Sequence, residues 1–433
     1  MSGDIHAVLS IAIFAVVYGL IIVRNVKGIR FPIWATMSIG ALMVLLLQII
    51  PLDQAFNAIN MDVILFLFGM FVLVSGLESS GMLKYVTIKV LEYAKTPNKI
   101  LLFILVVLGI LSAFLINDTV ALVATPIVIG LATQMGIKPS PFLITLAFGV
   151  TIGSIMTPIG NPQNLLISIE SQMPNPFLNF LVYLSAPAMV CMLTTYLILV
   201  KFYKKQIAFA VMPKISVSNE LIADPVLAKI SSIITISVVL GFFVLGILGL
   251  FEMDPKIPFS YIALGGGLLL LMISKQRRKI LYEINWKIIV FFIAMFVFMS
   301  AMWIGGAIKI ISSLFPILNP VDTTSSIFGI IITSTGLSQL MSNVPFAAVY
   351  VPIMHDAGLV GTNILPWLAL ASASTLAGNL TILGAASNII ILEAAEKKGI
   401  HAFSFWEFFK IGSVVTVCNM LILFAFLLVY SYI

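Results

Sequence analysis

Residues 157–164, with the sequence TPIGNPQN, interrupt an otherwise apolar run. Pro158 and Pro162 lack the amide hydrogen that a helix interior requires, and Gly160 relaxes the backbone. A second apolar run is interrupted at the matching place by TILGAASN at residues 381–388, where Gly384 corresponds to Gly160. Each run is therefore predicted to be a helix that stops and restarts.

The composition indicates that lipid is the main solvent of this chain. Of its 433 residues, 61% are hydrophobic and only 9% are charged, whereas about 25% are charged in an ordinary soluble domain. A helix needs roughly 20 apolar residues to cross the hydrocarbon core of a bilayer. Ten spans are predicted, near residues 7–23, 32–50, 61–81, 141–168, 180–200, 230–250, 259–274, 286–306, 366–393 and 407–431.

Two further apolar stretches, residues 100–134 and 326–357, are too long for one span and are polar at their centres. Each is predicted to form a re-entrant hairpin. Because unpaired backbone cannot face lipid at this depth, both tips must be buried in protein or line a wet cavity. The polar residues at the tips are Asn117, Asp118 and Thr119 in LINDTVALVATP, and Ser342 and Asn343 in LMSNVPFAAVYVP.

Asp118 is the only carboxylate predicted to lie deep in the membrane. Burying it ionised costs on the order of 3 kcal/mol, so it must be paired with a cation or protonated, and it is the leading candidate for a coupling-ion ligand or proton carrier.

At the helix breaks, freed carbonyls can ligate sodium and helix N-termini can bind an anion. Each element also has a purely structural interpretation: Asn and Thr at a tip can cap helix ends, Gly and Pro can form a packing kink, and Asp118 can be a cap. Neutral dipoles come from Asn161, Asn164, Ser387 and Asn388.

A shift of about 225 residues aligns the two halves of the chain. An odd number of crossings separates equivalent points, so the second copy is predicted to be inverted. Inverted repeats with broken helices are typical of secondary transporters. The predicted fold is an all-α polytopic membrane protein of two inverted repeats, with about ten transmembrane helices plus two re-entrant hairpins. Matching pairs are Met70 with Met295, Asn117 with Asn343, Pro126 with Pro352, Gly160 with Gly384, and Asn164 with Asn388.

The positions of Lys and Arg predict the orientation. All but two of the 23 Lys and Arg residues, Lys256 and Lys309, fall in connections on one side of the predicted topology. Because cytoplasmic loops are enriched in these residues, that side is the cytoplasmic one and both termini are extracytoplasmic. The enrichment of Lys and Arg in cytoplasmic loops thus explains the net charge of +6, and no nucleic-acid partner is expected. We expect a multi-pass protein of the plasma membrane, surrounded by lipid.

These motifs resemble the ion transporter superfamily, which includes arsenite permeases, sodium/proton antiporters, citrate-metal symporters and divalent-anion/sodium symporters. The resemblance covers nearly the whole chain. NDTVALVATPIV, TPIGNPQNLLI and TILGAASNIIILEAAEKKG resemble the arsenite-permease and citrate-metal branch. Divalent-anion symporters carry Ser-Asn-Thr at both tips, whereas here Asp118 follows Asn117 and Val344 follows Asn343. A carboxylate at the first tip fits branches that can exchange protons.

The resemblance implies a homodimer of elevator-type protomers. Repeat 1 would cover residues 1–200 and repeat 2 residues 230–433, joined by a cytoplasmic linker at 201–229. Scaffold spans would be residues 1–97 and 230–320, and transport-domain elements residues 98–200 and 321–433. Sodium would bind at Asn117 with Thr157 and Gly160, and at Ser342 and Asn343 with Gly384. The substrate would lie near Asn117, Thr119, Asn161, Asn164, Asn343, Thr381, Ser387 and Asn388.

Four functions remain open after these observations. The first is a secondary transporter of a small anion or oxyanion coupled to Na⁺ or H⁺; no buried Lys or Arg is expected, which leaves helix dipoles and Asn side chains to bind the anion. Alternatives are an arsenite efflux permease, a Na⁺/H⁺ antiporter centred on Asp118, and, less favoured, an anion channel. An enzyme is not expected, because the three histidines form no nucleophile-base pair or metal-ligand spacing. No cofactor is expected besides the coupling ion.

Overall fold

The computed structural model describes residues 2–23, 25–26, 29–30, 32–208, 210–212, 221–251, 257–312 and 322–432. This part of the chain is helical apart from one two-stranded antiparallel pair, Asn25–Val26 with Ile29–Arg30. The predicted all-α class is confirmed.

The first half contains both long apolar helices and short helices of about two turns. A π-helical turn, Ile104–Leu108, joins α6 to α7. In chain order they are α1 (Ser2–Val23), α2 (Ile33–Leu46), α3 (Leu52–Ala58), α4 (Met61–Ser79), α5 (Met82–Glu92), α6 (Pro97–Phe103), α7 (Gly109–Leu115), α8 (Asn117–Gln134), α9 (Ser140–Ser154), α10 (Pro162–Glu170) and α11 (Pro176–Ile207).

The second half follows the same order of long, short and broken helices. Two 3-10 turns, Ala377–Asn379 and Ile382–Gly384, lie between α19 and α20. The helices are α12 (Pro225–Leu250), α13 (Phe259–Ile273), α14 (Arg277–Glu283), α15 (Trp286–Ile304), α16 (Ala307–Ser312), α17 (Thr323–Met341), α18 (Asn343–Asp356), α19 (Ile364–Leu376), α20 (Ala386–Glu396) and α21 (Phe405–Tyr430).

Within the described ranges, six helical stretches are long and apolar enough to cross a membrane by length and composition. The predicted spans 141–168 and 366–393 are instead broken: α9 stops at Ser154 and α10 starts at Pro162, while α19 stops at Leu376 and α20 starts at Ala386. Both predicted breaks are confirmed. The six stretches are Met61–Ser79, Pro97–Leu115, Pro176–Ile207, Pro225–Gly249, Trp286–Ile304 and Phe405–Tyr430.

Small residues let the membrane helices approach closely. A Cβ on Gly69 of α4 would lie 2.3 Å from the backbone of Ala263 in α13, and a Cβ on Gly153 of α9 would lie 1.9 Å from the carbonyl of Gly109 in α7. In a bilayer, where apolar burial gives little drive for association, such close contact supplies the packing energy.

Some sequence predictions fall outside what the structure describes. Residues 209 and 213–220 of the expected linker are among these, and α11 and α12 continue into both of its ends. Lys256, the boundary at residues 320 and 321, and the side chain of Lys309 also lie outside the described residues.

Candidate functional site

Each hairpin turns at a single residue with a positive φ, Ile116 (65°) and Ser342 (69°). Such a φ is uncommon for residues other than glycine and is held only by surrounding contacts. The next residue in each hairpin opens a helix, and its Oδ1 accepts the following N–H: Asn117 from Asp118 at 2.8 Å and Asn343 from Val344 at 3.0 Å. The two tips therefore share one local structure.

The first tip contacts the first break directly. The Asn117 N–H donates to the Gly160 carbonyl at 2.9 Å. A Cβ on Gly160 would lie 2.1 Å from the carbonyl oxygen of Ser154, so only glycine fits there. Asn161 caps α10, because its Oδ1 accepts the N–H of Asn164 at 2.8 Å. Tip and break thus form one unit.

The second break is held by Asn388 and by Gln339 of the second hairpin. The Asn388 Nδ2 donates to the carbonyls of Gly378 (2.8 Å) and Thr381 (3.3 Å). The Thr381 hydroxyl donates to Gln339 Oε1 at 2.9 Å, and Gln339 Nε2 donates to the Ala377 carbonyl at 2.7 Å. In the second half, the Gln339 side chain therefore connects the hairpin to the break, whereas in the first half the connection is the backbone hydrogen bond from Asn117 to Gly160.

The first break is also bound to the second half. Thr375 of α19 donates to Asn164 Oδ1 at 3.1 Å and accepts from Asn161 Nδ2 at 3.1 Å. Gln163 donates to the hydroxyl of Ser374. These buried side chains connect residues more than 200 positions apart, so the two interrupted helices meet in the interior of the protein.

Both tips line a cavity of about 330 Å³. We call the lining residues of the hairpin tips and breaks the tip wall, and the lining residues of α2, of α15 and of the segment just before α15 the facing wall. The tip wall includes Asn117, Asp118, Asn161, Ser342 and Asn343. The facing wall includes Trp34, Asn285, Lys287, Phe291 and Phe292.

A larger cavity of about 750 Å³ adjoins the first, since Asp118, Asn285 and Lys287 line both. Thr119 also lines the larger one, with Glu78 of α4 and the C-terminal part of α20. A path of open space therefore runs from the tips toward the end of the protein where Lys397 and Lys398 lie.

Polar contacts join the helices at the opposite end of α4. Glu78 lies near the end of α4, and Asn60 caps its start, roughly 27 Å away at 1.5 Å per residue. Asn60 Nδ2 donates to the Glu170 carboxylate at 2.7 Å, and His355 Nε2 lies 3.1 Å from the Glu170 carbonyl. The Tyr18 hydroxyl donates to the Pro345 carbonyl at 3.0 Å, behind the second tip.

The remaining residues proposed from sequence lie at the breaks and are not among the lining residues of the 330 Å³ cavity. Asn164 and Asn388 are fully buried and bond to backbone carbonyls. Ser387 is buried, and its hydroxyl has no hydrogen-bond partner within the described structure. The others in this group are Thr157, Gly160, Thr381 and Gly384.

Sequence reasoning missed the polar residues of the facing wall. Asn285 and Lys287 stand at the edge of an apolar span, where they resemble ordinary loop residues. The internal repeat could have identified them, because at the shift of about 225 residues Asn285 aligns with Asn60 and Lys287 aligns with Asp62. Gln339 and Thr375 were missed because each stands in a helix with several other polar residues, and the neighbouring sequence does not distinguish it from them.

Comparisons with known proteins agree with this architecture. The 46 kDa membrane protein of Mycobacterium leprae is 28% identical over 437 residues, covering 96% of each chain. The silicon efflux transporter LSI3 of Oryza sativa subsp. japonica is 25% identical over 461 residues, covering 91% of this chain and 92% of the relative. The crystal structure of the Alcanivorax borkumensis YdaH transporter has the same fold, with a TM-score of 0.56, 13% identity and 97% coverage of both chains.

The family model described as citrate transporter, CitMHS, matches residues 18–377. The family, the rice relative and the structural neighbour are all named transporters. The expectation that the chain is not an enzyme is confirmed by these relationships. The chain belongs to the citrate transporter family of the ion transporter superfamily and is a multi-pass membrane transporter.

Proposed function

We propose that the protein is a secondary active transporter of a small anion or oxyanion, coupled to Na⁺ or H⁺. The observation that carries this proposal is the cavity in which both Asn-bearing tips face one wall of other helices. A solute in this cavity touches both repeats at once, as expected for a midplane site between repeats.

Alternating access is supported by the difference between the two ends. One end carries the 750 Å³ cavity, and at the other the Asn60–Glu170 hydrogen bond would close the path. An elevator movement would carry the tips and breaks past the facing wall, part Asn60 from Glu170 and close the open end. By the lysine distribution, the open end faces the cytoplasm.

Anion binding is supported by helix N-termini. Asn117 and Asn343 are the first residues of α8 and α18, and both line the cavity. The positive end of the helix dipole favours an anion there. The amide groups of these side chains add donors without a buried formal charge.

Cation coupling is supported by oxygens without partners around the second break. The Ser338 and Ser387 hydroxyls and Oδ1 of Asn379 and Asn388 are buried and have no hydrogen-bond partner in the described chain. Leaving such groups unsatisfied costs about 1–3 kcal/mol each. Neutral oxygens are suitable ligands for Na⁺, while Asp118 on the tip wall supplies a carboxylate for Na⁺ or H⁺.

The remaining expectations belong to the same proposal. The scaffold would comprise residues 1–97 and 230–320 and the transport domain residues 98–200 and 321–433. The protein would act as a homodimer in the plasma membrane, with both termini extracytoplasmic. Lipid would cover the apolar side chains exposed on α11 and α21, such as Leu197 and Leu421.

A second candidate function is efflux of a neutral hydroxy acid, such as arsenous acid. It is favoured by the amide-lined tip wall, and the rice relative is named a silicon efflux transporter. A Na⁺/H⁺ antiporter centred on Asp118 is the third. These functions differ in which solute exchanges across the membrane.

Counterflow in proteoliposomes distinguishes the three. Vesicles loaded with unlabelled phosphate, sulfate, succinate, citrate or arsenous acid are diluted into a trace of the same labelled solute, with and without Na⁺ and at pH 6 and 8. Uptake of an anion above protein-free vesicles supports the first function. Exchange of arsenous acid alone supports the second, and Na⁺-driven proton flux without any added solute supports the third. An uncoupled, channel-like flux would contradict all three.

A further inference from the structure

Lys287 occupies an unusual place for a lysine, on the facing wall. It lies in the first turn of α15 and lines both the 330 Å³ and the 750 Å³ cavities. Among the lining residues of the smaller cavity, Lys287 is the one cationic side chain and Asp118 the one acidic side chain. The two charges are carried by different elements, Asp118 by α8 and Lys287 by α15.

Helix stability does not explain Lys287. The N-terminus of a helix carries a partial positive charge, so a cation in the first turn is unfavourable. At the matching place in α4 stands Asp62, the favourable charge for that position, and it accepts a hydrogen bond from Ser260 at 2.5 Å. The two repeats therefore bear opposite charges at the same structural position.

The Lys287 ammonium is also available to a ligand. Its side chain is exposed, and within the described residues no carboxylate lies within 4.0 Å of it, including Asp118, Glu283 and Glu393 of the two cavities. An exposed ammonium at the mouth of a cavity with low-dielectric walls raises the local concentration of anions. The apolar rings of Phe291 and Phe292 provide such walls.

We propose that Lys287 is an anion-capture residue: it binds the anionic solute while the cavity is open to the lysine-rich end, before the solute passes to the two Asn-bearing tips. This inference rests on the anion transport proposed above. Because Lys287 lies on the facing wall, an elevator movement separates it from the solute. At the related position of the first repeat, Asp62 is acidic and would repel an anion. Electrostatic capture of the anion is therefore expected only at the end of the protein where Lys287 lies.

The test is anion binding to purified full-length protein at low ionic strength, measured by thermal shift against phosphate, sulfate, succinate and citrate, with arsenous acid as a neutral probe. Lys287→Gln is compared with Lys287→Arg and with Lys275→Gln, which removes an exposed lysine from the connection after α13. Equal unfolding midpoints without ligand establish that the variants are folded.

We expect Lys287→Gln to weaken binding of the anion that stabilises the wild type by about 3- to 10-fold. Lys287→Arg and Lys275→Gln should bind as the wild type does. The difference should shrink in 0.5 M choline chloride, because salt screens exposed charges. Binding of arsenous acid should not respond to Lys287.

Two results overturn the inference in different ways. If an anion stabilises the wild type and Lys287→Gln binds it equally well, or no worse than Lys275→Gln does, Lys287 has no capture role while anion transport stands. If no anion stabilises the wild type or is exchanged in proteoliposomes, the proposed function fails and the inference fails with it.

Discussion

Asn164 and Asn388 hold the two helix breaks with the same pair of hydrogen bonds. The Nδ2 of each donates to the carbonyls ten and seven residues earlier, at 2.9 and 3.3 Å for Asn164 and at 2.8 and 3.3 Å for Asn388. The side chains differ at Oδ1, which accepts from Thr375 in Asn164 and has no described partner in Asn388.

This relationship predicts unequal effects of alanine. Asn164→Ala and Asn388→Ala should both lower the midpoint of thermal unfolding in detergent, because each removes two hydrogen bonds to backbone carbonyls at a break, at a cost of about 0.5–1.5 kcal/mol per bond. Asn164→Ala should be the more damaging, since it also removes the hydrogen bond between Asn164 Oδ1 and the Thr375 hydroxyl. A larger loss in Asn388→Ala would contradict the structural role described for Thr375.

Asp118→Asn should abolish gradient-driven uptake and leave the protein folded. The amide matches the carboxylate in shape but can neither bind a proton nor carry the charge that a coupling cation needs. Uptake driven by Na⁺ and by a pH gradient is measured in proteoliposomes, with size-exclusion chromatography as the control for folding. Undiminished coupled uptake would remove Asp118 from the mechanism.

Asn343→Ala should weaken the apparent affinity for the solute or the coupling cation. Its side chain lines the cavity while also accepting the Val344 N–H. Asn343→Asp, which preserves the acceptor, separates the two roles: it should retain the unfolding midpoint but alter ion dependence. If Asn343→Ala keeps its apparent affinity and loses only stability, the second tip is a cap alone.

Gly160→Ala should damage folding or transport strongly, because its Cβ would lie 2.1 Å from the Ser154 carbonyl oxygen, where only backbone could move. Gly265→Ala in α13 is the matched control, since a Cβ there meets nothing within 4 Å and alanine favours a helix over glycine by about 1 kcal/mol. Equal expression, unfolding midpoint and transport in both variants would refute the tight break around Gly160.

Asn60→Ala should shift the protein away from the state described. The substitution removes the hydrogen bond to Glu170 that would close one end, and a bond to a carboxylate contributes about 1.5–3 kcal/mol. Leu122→Cys, placed in the 750 Å³ cavity, reports that state by its rate of maleimide labelling. We expect labelling to slow several-fold in Asn60→Ala, and not in Asp53→Ala, which removes an exposed polar side chain of α3.

Much of the architecture was accessible from sequence because its signals are local. Apolar runs long enough to span a bilayer, prolines and glycine in TPIGNPQN, and the repeat of Asn117 as Asn343 each depend on neighbouring residues or on simple self-comparison. Helix breaks at both predicted places are confirmed. In the first, a missing amide donor acts on the helix that contains it, and the second was found because Gly384 repeats Gly160.

What only the tertiary structure decided is which polar residues share a space. Asn164 and Asn388 were expected to bind solute, but their amides bond to carbonyls freed by the breaks, because a buried carbonyl is costly to leave unpaired. Lys287 lines the same cavity as Asn117 although 170 positions separate them. Hydropathy is read from residues that are neighbours in the sequence. A cavity wall forms where helices distant in the sequence pack together, and the sequence pattern alone does not predict that packing.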